Sequence, residues 1–462
     1  MPLYDGLPTP FQILFWVALV LISLTFITVV SLQFFAFRAR RAHLPQTPES
    51  DYLWVFVVPA LNEEVTIEDT VTQLDRTDAT HKIIMVVDDA SDDATPTILS
   101  QMAVPDLHVI RRELPNAQVG KAAALNTAWK HVHRILATPD YSMWSTEQVV
   151  MVIIDADGRL DHQAPHCFAR HFADPETGGV QSLVRIYNRF GWLTWAQDVE
   201  FSVFGWVYQL GRSNLGTANM GGNGQATRLA ALDDVAAPAG PWRNKLTEDQ
   251  DLGVRLLIHG WKGRQDVRCT VEQQGVSNLR RLYRQRTRWS QGGWQAVQLI
   301  RHVDHMNASV LARLDATMYL LTPIVQTVVA FTVLSAIGLA IVLDEPFFTD
   351  STLTLLFFVA LSFGPGFLGL LTRGKGVIGV VTAIVLVIPY TVYSWLIYPV
   401  VLRAGIRAIM GRTTWDKTAR EPLTQQVTVV QHPLPSTATL QEEMTFPSQE
   451  EVTSPLQDEV AS

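Results

Sequence analysis

The placement of apolar residues constrains this chain before any motif does. Residues 11–37 carry no charged side chain and are mostly Leu, Val, Ile and Phe. About 20 such residues suffice to cross a bilayer as a helix. Arg38, Arg40 and Arg41 follow at once, and no Lys or Arg stands among residues 1–10. A secretory leader puts its positive charge first and has a shorter apolar core. The pattern therefore predicts an uncleaved transmembrane anchor over 11–37, with 1–10 extracytoplasmic and the chain after Arg38 cytosolic.

Three more charge-free runs occupy 318–343, 352–371 and 377–402. The first intervening loop holds Asp344, Glu345 and Asp350 and no base, whereas the second holds Arg373 and Lys375. The bias of Lys and Arg toward the cytosol puts the first loop outside and the second inside. A third full crossing would leave the C-terminus outside, yet Arg403, Arg407, Arg412, Lys417 and Arg420 favour the inside. Pro389 and Pro399, or Pro323, could turn one run into a re-entrant or interfacial piece. The expectation is about four spans: the anchor, about three transmembrane or re-entrant segments over 318–402, and then a basic juxtamembrane segment over 403–420. This describes an integral, multi-pass membrane protein with a cytosolic domain over 38–317.

Residues 421–462 contain seven acids and no Lys or Arg, and read as a disordered acidic tail. Most of the formal net charge of −8 sits there, so the remainder is near neutral. That balance disfavours a nucleic-acid partner. Cys167 and Cys269 both fall in the cytosolic stretch and are expected to stay reduced.

Within 38–317, short β-branched runs at 54–58, 83–87, 107–111 and 149–154 alternate with helix-like stretches. This predicts a parallel sheet with crossover helices, whose ligands bind at the carboxyl ends of the strands. Chemistry stands at three of those ends: Pro59-Ala60-Leu61-Asn62-Glu63-Glu64, Asp88-Asp89-Ala90-Ser91-Asp92-Asp93 and Asp155-Ala156-Asp157. One acidic cluster is as well explained by turns and helix caps. Three at one sheet edge point to a site. In the Asp-x-Asp, one carboxylate can take a hard divalent cation, Mg²⁺ or Mn²⁺, while the other reaches a sugar hydroxyl.

Downstream, Thr247 and Gln250 are spaced as a capping box, which would put Asp249 in the first helical turn where the dipole keeps it ionised. There it could act as a general base. In Arg280-Arg281-Leu282-Tyr283-Arg284-Gln285-Arg286-Thr287-Arg288-Trp289, helical spacing puts Gln285, Arg288 and Trp289 on one face. Such a basic run is either a solvated or headgroup-facing surface, or it steadies a departing diphosphate with Arg288 and lines an acceptor pocket with Trp289. The Trp- and Phe-rich stretches 190–210 and 289–300 suit either interfacial helices or core. His162 and His166 lack an acidic partner at set spacing and read as surface residues.

The ordered set Val-Val-Pro-Ala-Leu-Asn-Glu-Glu (57–64), Asp-Asp-Ala-Ser-Asp-Asp (88–93), Gly-Lys-Ala-Ala-Ala-Leu-Asn (120–126), Asp-Ala-Asp (155–157), Thr-Glu-Asp (247–249) and Gln-Arg-Thr-Arg-Trp (285–289) resembles the membrane-bound family 2 glycosyltransferases. A Trp-x-Lys-Thr-x-Arg sequence at 415–420 extends the likeness. The resemblance implies a GT-A, Rossmann-like α/β nucleotide-sugar domain, a UDP-sugar donor, Mg²⁺ or Mn²⁺, and inversion at the anomeric carbon. It implies that Asp88 or Asp89 binds uridine and that Lys121 lies near the nucleotide, with Glu63 also on the donor side. Asp155 would contact the donor, Asp157 and Asp155 the metal, and Asp249 would be the base. Gln285, Arg288 and Trp289 would form the acceptor platform. Two departures stand out: Ala90 replaces the usual Gly, a small change by size, and Met220-Gly221-Gly222-Asn223-Gly224-Gln225 fits none of the usual polysaccharide-synthase acceptor loops.

Two enzyme readings follow: transfer of one hexose, best matched by UDP-glucose, to a lipid hydroxyl such as that of diacylglycerol, or extension of a β-polysaccharide. The few spans, the unusual acceptor loop and its similarity to bacterial glucosyldiacylglycerol synthases favour the lipid. A non-catalytic membrane scaffold is opposed by the presence of every expected acid.

Overall fold

Two hydrophobic cores, one on each face of a single sheet, organise the chain. A computed structural model describes residues 9–343 and 352–411. The expected acidic tail 421–462, most of the segment 1–10, the acidic loop with Asp344, Glu345 and Asp350, the basic residues Arg412, Lys417 and Arg420, and the 415–420 motif lie outside the described residues.

The strands are β1 (Leu53–Ala60), β2 (Lys82–Asp88), β3 (Leu107–Arg111), β4 (Val149–Ile153), β5 (Arg159–Leu160), β6 (Thr177–Ile186), β7 (Gln225–Arg228) and β8 (Lys262–Gln273). The helices are α1 (Thr9–Arg41), α2 (Ile67–Asp75), α3 (Thr95–Gln101), α4 (Lys121–Leu136), α5 (Ala164–Phe172), α6 (Trp192–Val203), α7 (Leu210–Leu215), α8 (Leu229–Asp234), α9 (Glu248–Ile258), α10 (Leu279–Ala296), α11 (Val310–Leu343), α12 (Thr352–Leu371), α13 (Gly376–Ser394) and α14 (Ile397–Ile409). All described residues fall within one compact unit.

The sheet order is β3-β2-β1-β4-β7-β6-β8-β5. Strands β1 to β4 are parallel, as their β-branched runs predict. Beyond β4 the sheet becomes mixed, because β7 runs antiparallel to both β4 and β6.

Side chains alternate across a strand, and β1 shows the consequence. Trp54, Phe56 and Val58 enter the core with Ile67, Val71 and Leu74 of α2 and Phe168 of α5. Leu53, Val55 and Val57 enter the opposite core with Ala124, Leu125 and Val132 of α4 and Leu252 of α9. Fully burying each such side chain stabilises the fold by roughly 1.5–3 kcal/mol. Burial on both faces explains why these strands read as unbroken apolar runs. The register pairs Ala60 with Asp88 and Val57 with Ile153, which lines up the carboxyl ends that carry the motifs.

Among the described residues, Thr9–Arg41, Val310–Leu339 and Gly376–Ile409 are long and apolar enough to cross a membrane, and Val359–Leu371 is a shorter apolar helix. The last expected run divides at Trp395 and Leu396 into α13 and α14, with Pro399 in the first turn of α14. Proline is tolerated there because the first-turn N–H groups have no intrahelical acceptor. The stretch 190–210 is neither wholly interfacial nor wholly core: Val199 and Val203 pack against Leu370 and Val387, while Phe190 and Trp192 stay exposed. His166 pairs with Asp78 and His162 with Gln73, both away from the strand ends that carry the motifs. Both cysteines are free thiols.

Candidate active site

The first two motifs are laced into one rim. The Asn62 N–H donates to Ser91 Oγ at 2.9 Å, Asn62 Nδ2 donates to Asp92 Oδ1 at 2.6 Å, and the Glu63 N–H donates to Thr95 Oγ1 at 2.9 Å. Asp88 is buried and holds the turn from within, accepting the Ser91 N–H at 3.0 Å and Arg111 Nη1 at 2.5 Å. Asp89 instead faces the cleft and accepts from Arg112.

Ala90, at the apex, has φ of 62°. Only glycine enters that left-handed region without a steric penalty. The exchange that looks small by side-chain volume is therefore large by backbone geometry.

The cleft has a volume of about 470 Å³. Glu63, Asp89, Lys121, Asp155, Asp249, Gln285, Arg288 and Trp289 all line it. Asp88 and Asp157 do not. Asp157 is buried behind the wall, and its Oδ2 accepts the Gln274 N–H at 3.1 Å.

Lys121, the first residue of α4, sits among carboxylates, 2.5 Å from Asp155 Oδ1 and 3.8 Å from Glu248 Oε1. Burial disfavours its ammonium, but Asp155 and Glu248 outweigh that cost and hold its pKa above the ordinary lysine value. Glu248 is pushed up to about 7 by burial, relieved in part by Lys121 and reinforced by Asp249. Burial likewise raises Asp249, against the pull of Lys121.

The first-turn position of Asp249 is thus as expected, but desolvation and the neighbouring acids override the helix dipole. The capping box does not form in its usual way. Thr247 makes no backbone capping bond, and its hydroxyl donates instead to Gln250 Oε1 at 3.2 Å. Gly292 of α10 packs directly on the Thr247 side chain, with no room there for a Cβ.

The glycine loop closes over Asp249. Gly222 has φ of +80°, and a Cβ there would stand 2.7 Å from Asp249 Oδ2. Asn223 Oδ1 accepts the Asp155 N–H at 3.0 Å, so the same loop also fixes the Asp-x-Asp. In place of an acceptor motif, this sequence supplies a close backbone approach to the candidate base.

Helix α10 presents Gln285, Arg288 and Trp289 to the cleft, and Asn278 caps it by accepting from the Arg280 and Arg281 N–H groups. Beneath that face lies a network absent from the sequence reading. The Arg286 guanidinium sits 4.1 Å from the Trp289 ring centroid and donates to Glu200 Oε2 at 2.6 Å. Tyr393 of α13 donates to the same oxygen at 2.5 Å. Phe201 meets Trp289 edge to face at 6.3 Å. Glu200, Phe201, Phe204, Met220 and Tyr319 complete this wall. Its only sequence signal is Glu200 itself, one of two acids, with Asp198, in an aromatic stretch.

This geometry has counterparts. Residues 150–402 match the family described as glycosyl transferase family group 2, and residues 55–235 match glycosyl transferase family 2. The chain is 33% identical over 245 residues to a β-monoglucosyldiacylglycerol synthase of Synechocystis sp., covering 52% of this chain and 47% of the relative. It is 26% identical over 245 residues to a poly-β-1,6-N-acetyl-D-glucosamine synthase of Staphylococcus aureus, covering 52% and 55%. The chain thus spans about half the length of the curated relatives it matches. A mannosyltransferase from Pyrobaculum calidifontis, solved with GDP-Man and Mn²⁺, shares the fold at a TM-score of 0.54 and 18% identity, over 86% of this chain and 99% of that one. The fold is the GT-A-like α/β architecture, carried with helices apolar enough for a membrane. With the family match spanning more than half of its length, the chain belongs to glycosyl transferase family group 2.

Proposed function

We propose that the chain moves a hexose, with UDP-glucose as the best-matched donor, to a membrane lipid hydroxyl such as that of diacylglycerol, forming a β-glycolipid. The observation that carries this reading is the composition of the cleft. One half is acidic and cationic at the strand ends, and the other is walled by Phe201, Phe204, Met220, Trp289 and Tyr319, the last from a helix apolar enough to span a bilayer. A nucleotide sugar suits the first half, and an acceptor with an acyl-bearing backbone suits the second. The likeness to β-monoglucosyldiacylglycerol synthases supports the same assignment.

Asp249, once ionised, takes the proton of the acceptor hydroxyl, and its raised pKa strengthens it as a base. The hydroxyl oxygen attacks the anomeric carbon on the face opposite the diphosphate. The bond to the diphosphate oxygen breaks, UDP leaves with the electron pair, and the α-linked sugar becomes β-linked. Arg288 offsets charge on the departing diphosphate, Gln285 and Trp289 orient the acceptor, and Asp89 and Glu63 hold the nucleoside end. Asp88 acts by fixing the turn that presents Asp89.

The donor set is all oxygen and carries surplus negative charge around Lys121, which fits a hard divalent cation. Asp155, which lines the cleft, would hold Mg²⁺ or Mn²⁺, which supplies charge neutralisation at the diphosphate when bound, while Asp157, buried and bonded to the Gln274 N–H, would fix the strand end behind it. In this reading α1, α11 and α13 cross the membrane and the domain at 38–317 faces the cytosol.

The likeness to a poly-β-1,6-N-acetyl-D-glucosamine synthase favours a second reading, extension of a polysaccharide. Membranes containing the chain, given labelled UDP-glucose or UDP-N-acetylglucosamine with Mg²⁺, separate the two. Solvent-extractable label supports the lipid acceptor. Insoluble label released by a glycanase supports the polymer.

A further inference from the structure

Asp198, in α6, is wholly buried, and three arginines converge on it. Arg185 Nε donates to Oδ1 at 2.9 Å and Arg185 Nη2 to Oδ2 at 3.2 Å. The Ile186 N–H adds 2.8 Å, Arg373 Nη2 lies 2.5 Å from Oδ2, and Arg189 Nη1 lies 3.4 Å from it. Among the described residues, this is the one carboxylate with which the three guanidiniums form ion pairs.

One acid against three bases leaves a surplus of positive charge. A purely structural ion pair has no need of that surplus, and a desolvated guanidinium without a counter-charge is costly. The side chains of Arg185, Arg189 and Arg373 remain 25%, 34% and 20% exposed. Nη1 of Arg373 is buried and has no hydrogen-bond partner among the described residues. None of the three lines the cleft, and the transfer reaction does not use them.

The surroundings indicate what neutralises the cluster. Arg373 stands in the turn between α12 and α13, two of the apolar helices. Next to Arg189, Phe190 is 80% exposed and Trp192 is 49% exposed. Exposed aromatic rings beside arginines at the end of an apolar helix are the composition of a membrane–water boundary. Guanidinium forks match phosphate oxygens in pairs.

We propose that Arg185, Arg189 and Arg373 form a binding site for a phosphate group, with an anionic phospholipid headgroup as the source that the exposed rings of Phe190 and Trp192 select. The lipid assignment rests on the proposed membrane placement of α13, at whose N-terminal end Arg373 stands. The site itself goes beyond the proposed transferase chemistry.

The test uses the full chain in phosphatidylcholine nanodiscs with or without a minor fraction of phosphatidylglycerol. Native mass spectrometry reads retained lipid in the absence of donor sugar, so the outcome is independent of transferase activity. Calorimetry with inorganic phosphate, in phosphatidylcholine discs, forms the second arm. Wild type should retain phosphatidylglycerol selectively. R189Q, chosen because Arg189 makes the longest contact with Asp198, should weaken retention about tenfold, the value of one charged hydrogen bond.

Phosphate binding that R189Q abolishes, without selective lipid retention, keeps the site and assigns it to the free anion. Equal phosphatidylglycerol retention and equal phosphate affinity in wild type and a folded R189Q would overturn the proposal. Should R189Q not fold, wild type alone decides, because the absence of both lipid selectivity and phosphate binding overturns it equally.

Discussion

Replacing Gly222 by alanine places a methyl group where the structure has no room for one. The backbone there has φ of +80°, and the new Cβ would stand 2.7 Å from Asp249 Oδ2 and 3.6 Å from Lys121 Nζ. The left-handed conformation alone costs roughly 1–2 kcal/mol for a residue with a Cβ. The contact must also push the Asp249 carboxylate aside by a substantial fraction of an ångström. A displacement of about 1 Å at a reacting group costs on the order of 100-fold in rate. G222A should therefore fold with a modest loss of stability and lose roughly two orders of magnitude in kcat. The KM for the donor sugar should change less than kcat, because the new Cβ meets donor-side Lys121 only at an ordinary contact distance of 3.6 Å.

Gly221 provides the internal control. It lacks the positive φ, and a Cβ there would meet only Gln181, at an ordinary 3.5 Å. G221A should keep near wild-type kcat. The assay is label transfer from the nucleotide sugar in membranes, with thermal melting of the same preparations. Equal kcat for G222A and G221A would refute the placement of Asp249 under the glycine loop.

Three further outcomes follow from the same geometry. A90G relieves the left-handed alanine at φ 62° and, after the extra entropy of glycine in the unfolded chain, should stabilise the protein by about 1 kcal/mol in denaturant melts. Glu248 titrates near 7 in the fold against an ordinary 4.5, so the folded state binds more protons between those values. Its contribution is complete below pH 4.5 and is lost as pH rises toward 7, and the fall in melting temperature over that window should flatten in E248Q. R286Q removes the cation from the Trp289 face and leaves Glu200 with Tyr393 alone, so the acceptor KM should rise several-fold while the donor KM holds.

How much of this was legible in the sequence depends on where the determining contacts lie. Strands β1, β2 and β4 are local: each is an apolar run rich in β-branched residues and buried on both faces, and the half-exposed β3 pairs with β2 at the sheet edge. Strands β6, β7 and β8 are not. β6 opens Thr-Gly-Gly, β7 is Gln-Ala-Thr-Arg, and β8 alternates charged and apolar residues over Lys262–Gln273. Their pairing is decided by tertiary partners that no window of sequence contains.

The site follows the same rule. Asp155, Asp249 and Arg288 sit in short motifs whose spacing reports their element. Glu200, Arg286 and Tyr393 meet across separations of 86 and 193 residues, so their association is invisible until the chain is folded. The strain at Ala90 was hidden for another reason, since residue size was weighed without the backbone angle that gives the position its meaning.

The central claim is that Asp249 deprotonates a lipid hydroxyl for attack on a UDP-sugar. Membranes carrying wild type or D249N, incubated with radiolabelled UDP-glucose, Mg²⁺ and diacylglycerol, test it directly by thin-layer chromatography of the solvent extract. Wild type should yield a β-glucosidase-sensitive glycolipid, and a D249N protein that melts normally should lose it almost completely. Undiminished product from D249N, or label found only in insoluble polymer, would contradict it.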